Sequence, residues 1–186
     1  MTVTQPGTIP GYVTGTWTID PVHSEVGFSV RHMMVSKVRG KFATFSGQLV
    51  TAGDLLSSSV TAEIELSSIE TGAEQRDAHL RSPDFFDTEK HPLMTYRSTG
   101  IRADGGDYIV DGELSLKGVT KDVPLKLELN GFGPDAYGGT RAGFTATAEI
   151  NRQDFGVNWN AAMETGGVVV SDKVTIHLEI EAVLQA

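Results

Sequence analysis

The sequence predicts an all-β protein: an antiparallel β-barrel of about eight strands with one or two short helices. Three observations carry this. Apolar residues recur at every second position in segment after segment, the pattern of half-buried strands. Turn residues separate the segments at short intervals, so neighbouring strands run antiparallel. The strands are long and evenly spaced, which favours an up-and-down barrel, although alternation alone does not exclude a sandwich.

Residues 1–15 are polar, Gly and Pro in mixture and read as a flexible tail; 16–186 read as one domain, long enough to bury a core. Strands are expected over 16–20, over 24–31 with Val26, Phe28 and Val30 on one face, and over 40–50. Another is expected over 59–66, where Val60, Ala62, Ile64 and Leu66 alternate with polar residues. From 73 to 82 the residues suit a short helix, which Ser82-Pro83 ends. A strand over 94–102 precedes the hairpin signal Asp104-Gly105-Gly106-Asp107. Tyr108, Val110, Leu114 and Leu116 then share a face up to a second turn at Lys117-Gly118-Val119-Thr120. Val123, Leu125, Leu127 and Leu129 share the next, and 131–139 reads as a longer connection. Phe144, Ala146, Ala148 and Ile150 form another face, and Val174, Ile176, Leu178, Ile180 and Ala182 form the last. Between these two, 153–167 is irregular and carries Phe155 and Trp159, as a loop or helical turn over a barrel end would.

With 24 Asp and Glu against 15 Lys and Arg, the chain carries a net charge of -9, which repels a phosphate backbone, and equally an anionic bilayer, over most of the surface. Nucleic acid is therefore excluded as a partner. There is no cysteine, hence no disulfide, thiolate nucleophile or thiolate metal site. No apolar run approaches the ~18 residues of a membrane-spanning helix, so no stable membrane insertion is expected. The first residues show no secretory pattern, and a cytoplasmic location is expected.

An eight-stranded barrel is either just filled by its side chains or hollow enough for one small ligand. Ala62, Gly112, Ala142, Ala146 and Ala148 fall on the inward faces and supply little volume, which points to a cavity. If each faces a bulky partner such as Phe28, Phe42 or Phe144, the core is instead close-packed. Residue size leaves both open.

The five histidines, His23, His32, His79, His91 and His177, lack the helical i, i+4 spacing of zinc hydrolases, so no metal site is expected. His177 alternates outward. Asp20-Pro21 reads as a turn rather than part of a triad with His23 and Ser24, since strand neighbours point to opposite faces. Arg76-Asp77-Ala78-His79-Leu80 is either an active site or a charged helix capping a barrel end. Lys37-Val38-Arg39 beside His32 is a basic cluster in an acidic chain: an ordinary exposed loop, or a contact for an anionic head group.

Several segments, taken in order, resemble the YceI-like polyisoprenoid-binding family. They are Trp17-Thr18-Ile19-Asp20-Pro21-Val22-His23-Ser24, then 30–42, then Thr71 with 76–80, Asp84-Phe85-Phe86-Asp87 and His91-Pro92. The stretches 112–121 and Asn151-Arg152-Gln153-Asp154-Phe155-Gly156 complete the likeness, which covers almost everything after the tail. The resemblance implies a lipocalin-like extended barrel whose tunnel takes an isoprenoid chain or another long-chain amphiphile. It makes the barrel hollow, with Phe28, Phe42, Ile64, Phe85, Met94, Leu114, Phe144 and Ile176 on the wall. Val30, Leu80, Leu116, Ala146, Phe155 and Trp159 join these as ligand contacts, and His32, Arg39, His79 and Asn151 are placed near a polar head. Many relatives carry a secretory signal; a periplasmic role does not carry over to a sequence that begins without one.

The expectation is a non-enzymatic carrier that binds, stores or transports an isoprenoid quinone, polyprenyl phosphate or similar amphiphile, with no cofactor and with homodimerisation left open. At ~0.8 kcal/mol per buried methylene, tail length outweighs the ~1.5–3 kcal/mol of one hydrogen bond to a charged head. The rival expectations are an enzyme using His79 and Asp77 as an acid–base pair, and a stress-related module whose barrel is only a scaffold.

Overall fold

In the computed structural model, which describes residues 9–161, 163 and 169–185, alternation has become a closed antiparallel sheet. Its strands are β1 (Gly15–Ile19), β2 (Glu25–His32), β3 (Ser36–Phe42), β4 (Phe45–Thr51), β5 (Ser59–Glu65), β6 (Ile69–Glu70), β7 (Leu93–Asp104), β8 (Asp107–Leu116), β9 (Val119–Asp122), β10 (Leu125–Pro134), β11 (Thr140–Asn151) and β12 (Val170–Leu184). One helix, α1 (Glu74–Arg81), follows β6. The barrel closes through β1-β4-β5-β7-β8-β10-β11-β12, with β12 returning to β1.

The other strands lengthen this barrel. On its edge away from β11, β12 serves two partners, pairing β1 through Ala182–Leu184 and β2 through Val170–Glu179. β1 and β2 are thus two halves of one bent stave. β3 and β4 form the next, since β3 pairs β2 while β4 pairs β1, and β5 and β6 form the third. The chain runs up and down through eight staves, each beside its predecessor.

Turn chemistry sets the hairpins. Between Leu116 and Val119 only Lys117 and Gly118 remain, both left-handed, as the tight turn that follows the strand twist requires. Three expectations are corrected. The strand expected over 40–50 is two strands that bend at Ala43–Thr44, where both backbone N–H groups leave the ladder and donate to Ser68, one to its carbonyl and one to its hydroxyl. The first begins at Ser36, so Lys37-Val38-Arg39 lies in β3 rather than in a loop. The connection expected over 131–139 is shorter: β10 passes a bulge at Leu129–Gly131 and reaches Pro134. The Asp135 carboxylate accepts the N–H groups of Tyr137 and Gly139 to make the turn.

The core divides along the barrel. At one end Trp17, wholly buried, packs with Ala142, Phe144 and Ala182, and its ring meets Phe132 edge-on at 5.5 Å. The indole N–H donates to Thr51 Oγ1 at 2.9 Å, and that hydroxyl donates to the Val13 carbonyl. Of the expected tail, residues 1–8 lie outside the described residues, whereas Tyr12 is seated: its ring meets Phe132 at 5.2 Å and its hydroxyl donates to Ala52. The larger cluster spans the remainder, from Tyr96 and Val110 to Phe85, Phe155 and Val157.

Candidate functional site

The inner faces of these strands enclose an elongated cavity of about 260 Å³, near the lower end of the ~300–1,000 Å³ usual for ligand pockets. Along β12 its wall runs from Val170 to Ile180. Ten residue steps at ~3.3 Å, on strands tilted by ~40°, make it roughly 25 Å long. A narrow space of that length suits a linear chain better than a compact ring system.

Two of the five small inward residues line the space and three, Gly112, Ala142 and Ala148, do not. Ala62 and Ala146 line the cavity. The room left by Gly112 is taken by the Tyr96 ring, which a Cβ at 112 would overlap, and Ala142 belongs to the Trp17 cluster. The Tyr96 hydroxyl donates to the Val123 carbonyl at 2.8 Å, and burial pushes its phenol pKa up, so it stays neutral and turned into the wall.

Of the sequence-predicted contacts, Phe28, Val30, Phe42, Ile64, Leu80 and Phe85 lie on the cavity wall. So do Met94, Leu114, Leu116, Phe144, Ala146 and Ile176. Six others do not line it. His32 and Arg39 stand on β2 and β3 beyond the cavity; Arg39 is on the outward face, because its cross-strand pairing with Ser29 puts it out of phase with Val38 and Val30. Asn151 caps the following 3-10 turn, Arg152–Phe155, by accepting the Gln153 N–H. Phe155 is buried in the core behind the wall. Trp159 meets Phe85 at 5.4 Å and His79 at 4.9 Å, one layer outside the cavity. His79 turns outward to Asp84, 2.8 Å from its Nε2.

Asp77 is buried and accepts both the N–H and the hydroxyl of Thr71, which tethers α1 to the segment after β6. Asp77 and His79 therefore hold different neighbours. The tethered helix delivers Leu80, and the turn after it Phe85 and Phe86, to the barrel end opposite Trp17. Phe86 meets Phe42 edge-on at 6.2 Å, and Phe42 meets Phe28 at 5.8 Å.

Among the wall residues that sequence reasoning did not name as ligand contacts, such as Phe45, Phe86, Tyr96 and Leu178, Arg152 is the one charged side chain. It lines the cavity end, is 4 % exposed, and donates to the carbonyls of Val157, Trp159, Val170 and Ser171 at 2.7–3.2 Å. Burial lowers its pKa, while four carbonyls and Asp172, 3.8 Å away, compensate the charge. Arg152 thus clamps the irregular segment onto the start of β12. Nothing in its neighbours along the chain marks it as buried.

Among the described residues the wall carries no His, Asp, Glu, Lys or Cys; its only ionisable side chains are Tyr96 and Arg152, both engaged with backbone carbonyls. Such a space can bury apolar surface, and its hydroxyls, Ser46, Thr51, Ser58 and Ser59, have no His, Asp or Glu beside them on the wall to act as a base. The turn expected at Asp20-Pro21 is present on the outside. There Asp20 accepts from Arg141 at 2.8 Å and from the Val22 N–H, and meets His23 at 2.7 Å. The Arg141 guanidinium, then His23, holds the Asp20 carboxyl far below the usual carboxylate range. Arg141 also lies 3.1 Å from Asp135 and 3.6 Å from Glu181, so three carboxylates share its guanidinium.

A model of the YceI-like domain matches residues 17–182. A UPF0312 protein of Staphylococcus epidermidis is 40% identical over 164 residues, 87% of this chain and 94% of that protein. The crystal structure of BcnA from Burkholderia cenocepacia superposes with a TM-score of 0.76 at 24% identity, over 88% of this chain and 98% of that one. A polyisoprenoid binding domain from Saccharophagus degradans, implicated in plant cell wall breakdown, superposes with a TM-score of 0.69 at 18% identity, over 93% of this chain and all of that one. At these identities the two structures establish the shared fold.

Proposed function

This chain belongs to the YceI-like family, and from that membership we propose that its barrel binds one long-chain isoprenoid lipid, of the polyprenyl phosphate or isoprenoid quinone type, as a non-enzymatic store or carrier. The observation that carries the reading is the long, narrow and almost wholly apolar cavity. Affinity there grows with buried methylenes at ~0.8 kcal/mol each, reduced by the ordering of a flexible chain. A linear isoprenoid supplies many such groups in a thin profile. The similarity to a domain described as polyisoprenoid-binding supports the same class of ligand. An acid–base mechanism through His79 and Asp77 lacks the geometry, because neither side chain lines the cavity.

Native mass spectrometry of protein purified from its own host, followed by extraction of any bound lipid, tests the reading. The expected result is one isoprenoid chain per barrel, and uptake of a polyprenyl alcohol or isoprenoid quinone by protein freed of lipid. Protein that carries nothing and takes up neither compound refutes it. Sustained turnover of prenyl diphosphates, quinols or acyl esters, lost in His79→Gln, replaces the carrier with an enzyme.

A further inference from the structure

We propose that the β2–β3 hairpin is a docking tip for an anionic phospholipid bilayer, with Met33, Met34 and Val35 entering the interface and a belt of four cations behind them meeting the head groups. The His32–Ser36 pair closes the hairpin and leaves these three apolar residues at its tip, 45%, 52% and 86% exposed. Met33 and Met34 both hold left-handed backbone, with φ of 52° and 63°. Gly or Asn takes that conformation more readily than an unbranched apolar side chain does. Folding therefore presents apolar side chains to water at positions where a polar turn residue fits the backbone better.

The belt is as unusual as the tip. Arg31 lies directly opposite Lys37 in the ladder, a like-charge pair that weakens a sheet, and Arg39 and Lys41 continue the same outward face. All four are exposed and none is in an ion pair among the described residues; Lys41 faces Glu70 across the ladder without forming one. Residues 26–53 carry these four cations and no carboxylate, in a chain with 24 carboxylates against 15 Lys and Arg.

Layering identifies the partner. Arg31 and Lys37 form the ladder pair one step, ~3.3 Å, behind the His32–Ser36 pair that closes the tip. Apolar groups of interfacial anchors enter ~5–10 Å below anionic head groups, so apolar tip and cationic belt follow the order of acyl boundary and phosphate. The acidic surface elsewhere turns the remainder of the barrel away from the same bilayer. The hairpin also adjoins the cavity: Val30 of β2 and Val170, the partner of His32 on β12, are both wall residues, and the Met33 N–H donates to the Val169 carbonyl. Docking brings that cavity end to the membrane. The docking stands on the hairpin alone, and its use in loading or releasing a long apolar chain rests on the carrier reading.

Sedimentation of the full chain with phosphatidylglycerol–phosphatidylcholine vesicles, against pure phosphatidylcholine vesicles, tests this. Binding is expected only to the anionic vesicles and should fall as salt rises. In Lys37→Ser/Arg39→Ser, where two cations are lost, and in Met33→Asn/Met34→Asn, which suits the left-handed backbone, partitioning should drop by ~10-fold or more with unchanged unfolding midpoints. Uptake of a long-chain quinone added without vesicles should be the same in both variants as in the parent. Failure of the parent to bind anionic vesicles, as expected if the tip meets a protein instead, overturns the docking tip, as does undiminished binding in both variants. Either result with uptake intact leaves the carrier reading standing, and vesicle binding without uptake removes the carrier and keeps the tip.

Discussion

The ring edge of Phe28 lies over the bare Cα of Gly40, its cross-strand partner, so closely that a Cβ at position 40 would overlap the ring. Glycine here is a matter of space, because Phe28 is a wall residue whose ring tip occupies the room a side chain at position 40 would need. Gly40→Ala should destabilise the fold by ~1–3 kcal/mol as the ring is forced off its position. Urea unfolding measures this. The displaced ring should also lower quinone affinity, and a variant with unchanged stability and uptake would show that the wall tolerates the methyl group.

The two polar residues of α1 separate by their partners. Asp77→Ala leaves the Thr71 N–H and hydroxyl without their acceptor in a buried site, an expected loss of ~2–3 kcal/mol. His79, with its side chain 40% exposed and paired to the exposed Asp84, contributes little by comparison. His79→Gln should stay within ~0.5 kcal/mol of the parent and retain quinone uptake. Equal losses in both variants would contradict this division.

Alternation made the wall legible in the sequence, because a residue two positions from Phe144 or Ile176 must share its face. Events fixed by residues far along the chain were not legible. The bend at Ala43–Thr44 depends on Ser68, and nothing within 40–50 announces it. Arg152 reads as a surface cation, yet it is buried because carbonyls from 157 to 171 converge on it. The resemblance, with the local charge, puts Arg39 and His32 at a ligand head. Strand phase sends Arg39 to the outer face, where it belongs with Arg31, Lys37 and Lys41.

Acid should reveal the Asp20–Arg141 pair. The folded-state pKa of Asp20 lies below its unfolded value, so the ionised form stabilises the fold above about pH 4, and that contribution is lost as pH falls through the folded pKa. Asp135 and Asp111, also lowered, by the Gly139 N–H and by Arg102 respectively, add to the same limb. Asp20→Asn should lower the melting temperature at pH 7 and flatten, without abolishing, its decline between pH 4 and pH 2. Parallel curves for parent and variant over that range would exclude Asp20 as a contributor.

Ala146 tests the cavity itself. It lies between Leu127 of β10 and Leu178 of β12 in the ladder, is 3 % exposed, and faces the cavity, whereas its neighbour Thr147 points the other way. An indole at 146 has open space to enter, so Ala146→Trp should fold at a cost of ~1–3 kcal/mol or less and fill part of the cavity. Quinone affinity, followed by fluorescence titration, should fall by ~10-fold or more. Thr147→Trp places the same indole on the outer face one residue away and should leave affinity unchanged. Because strand phase is the only difference between the two sites, a loss confined to position 146 locates the ligand inside the barrel. Unchanged uptake in a folded Ala146→Trp protein means that the chain binds elsewhere.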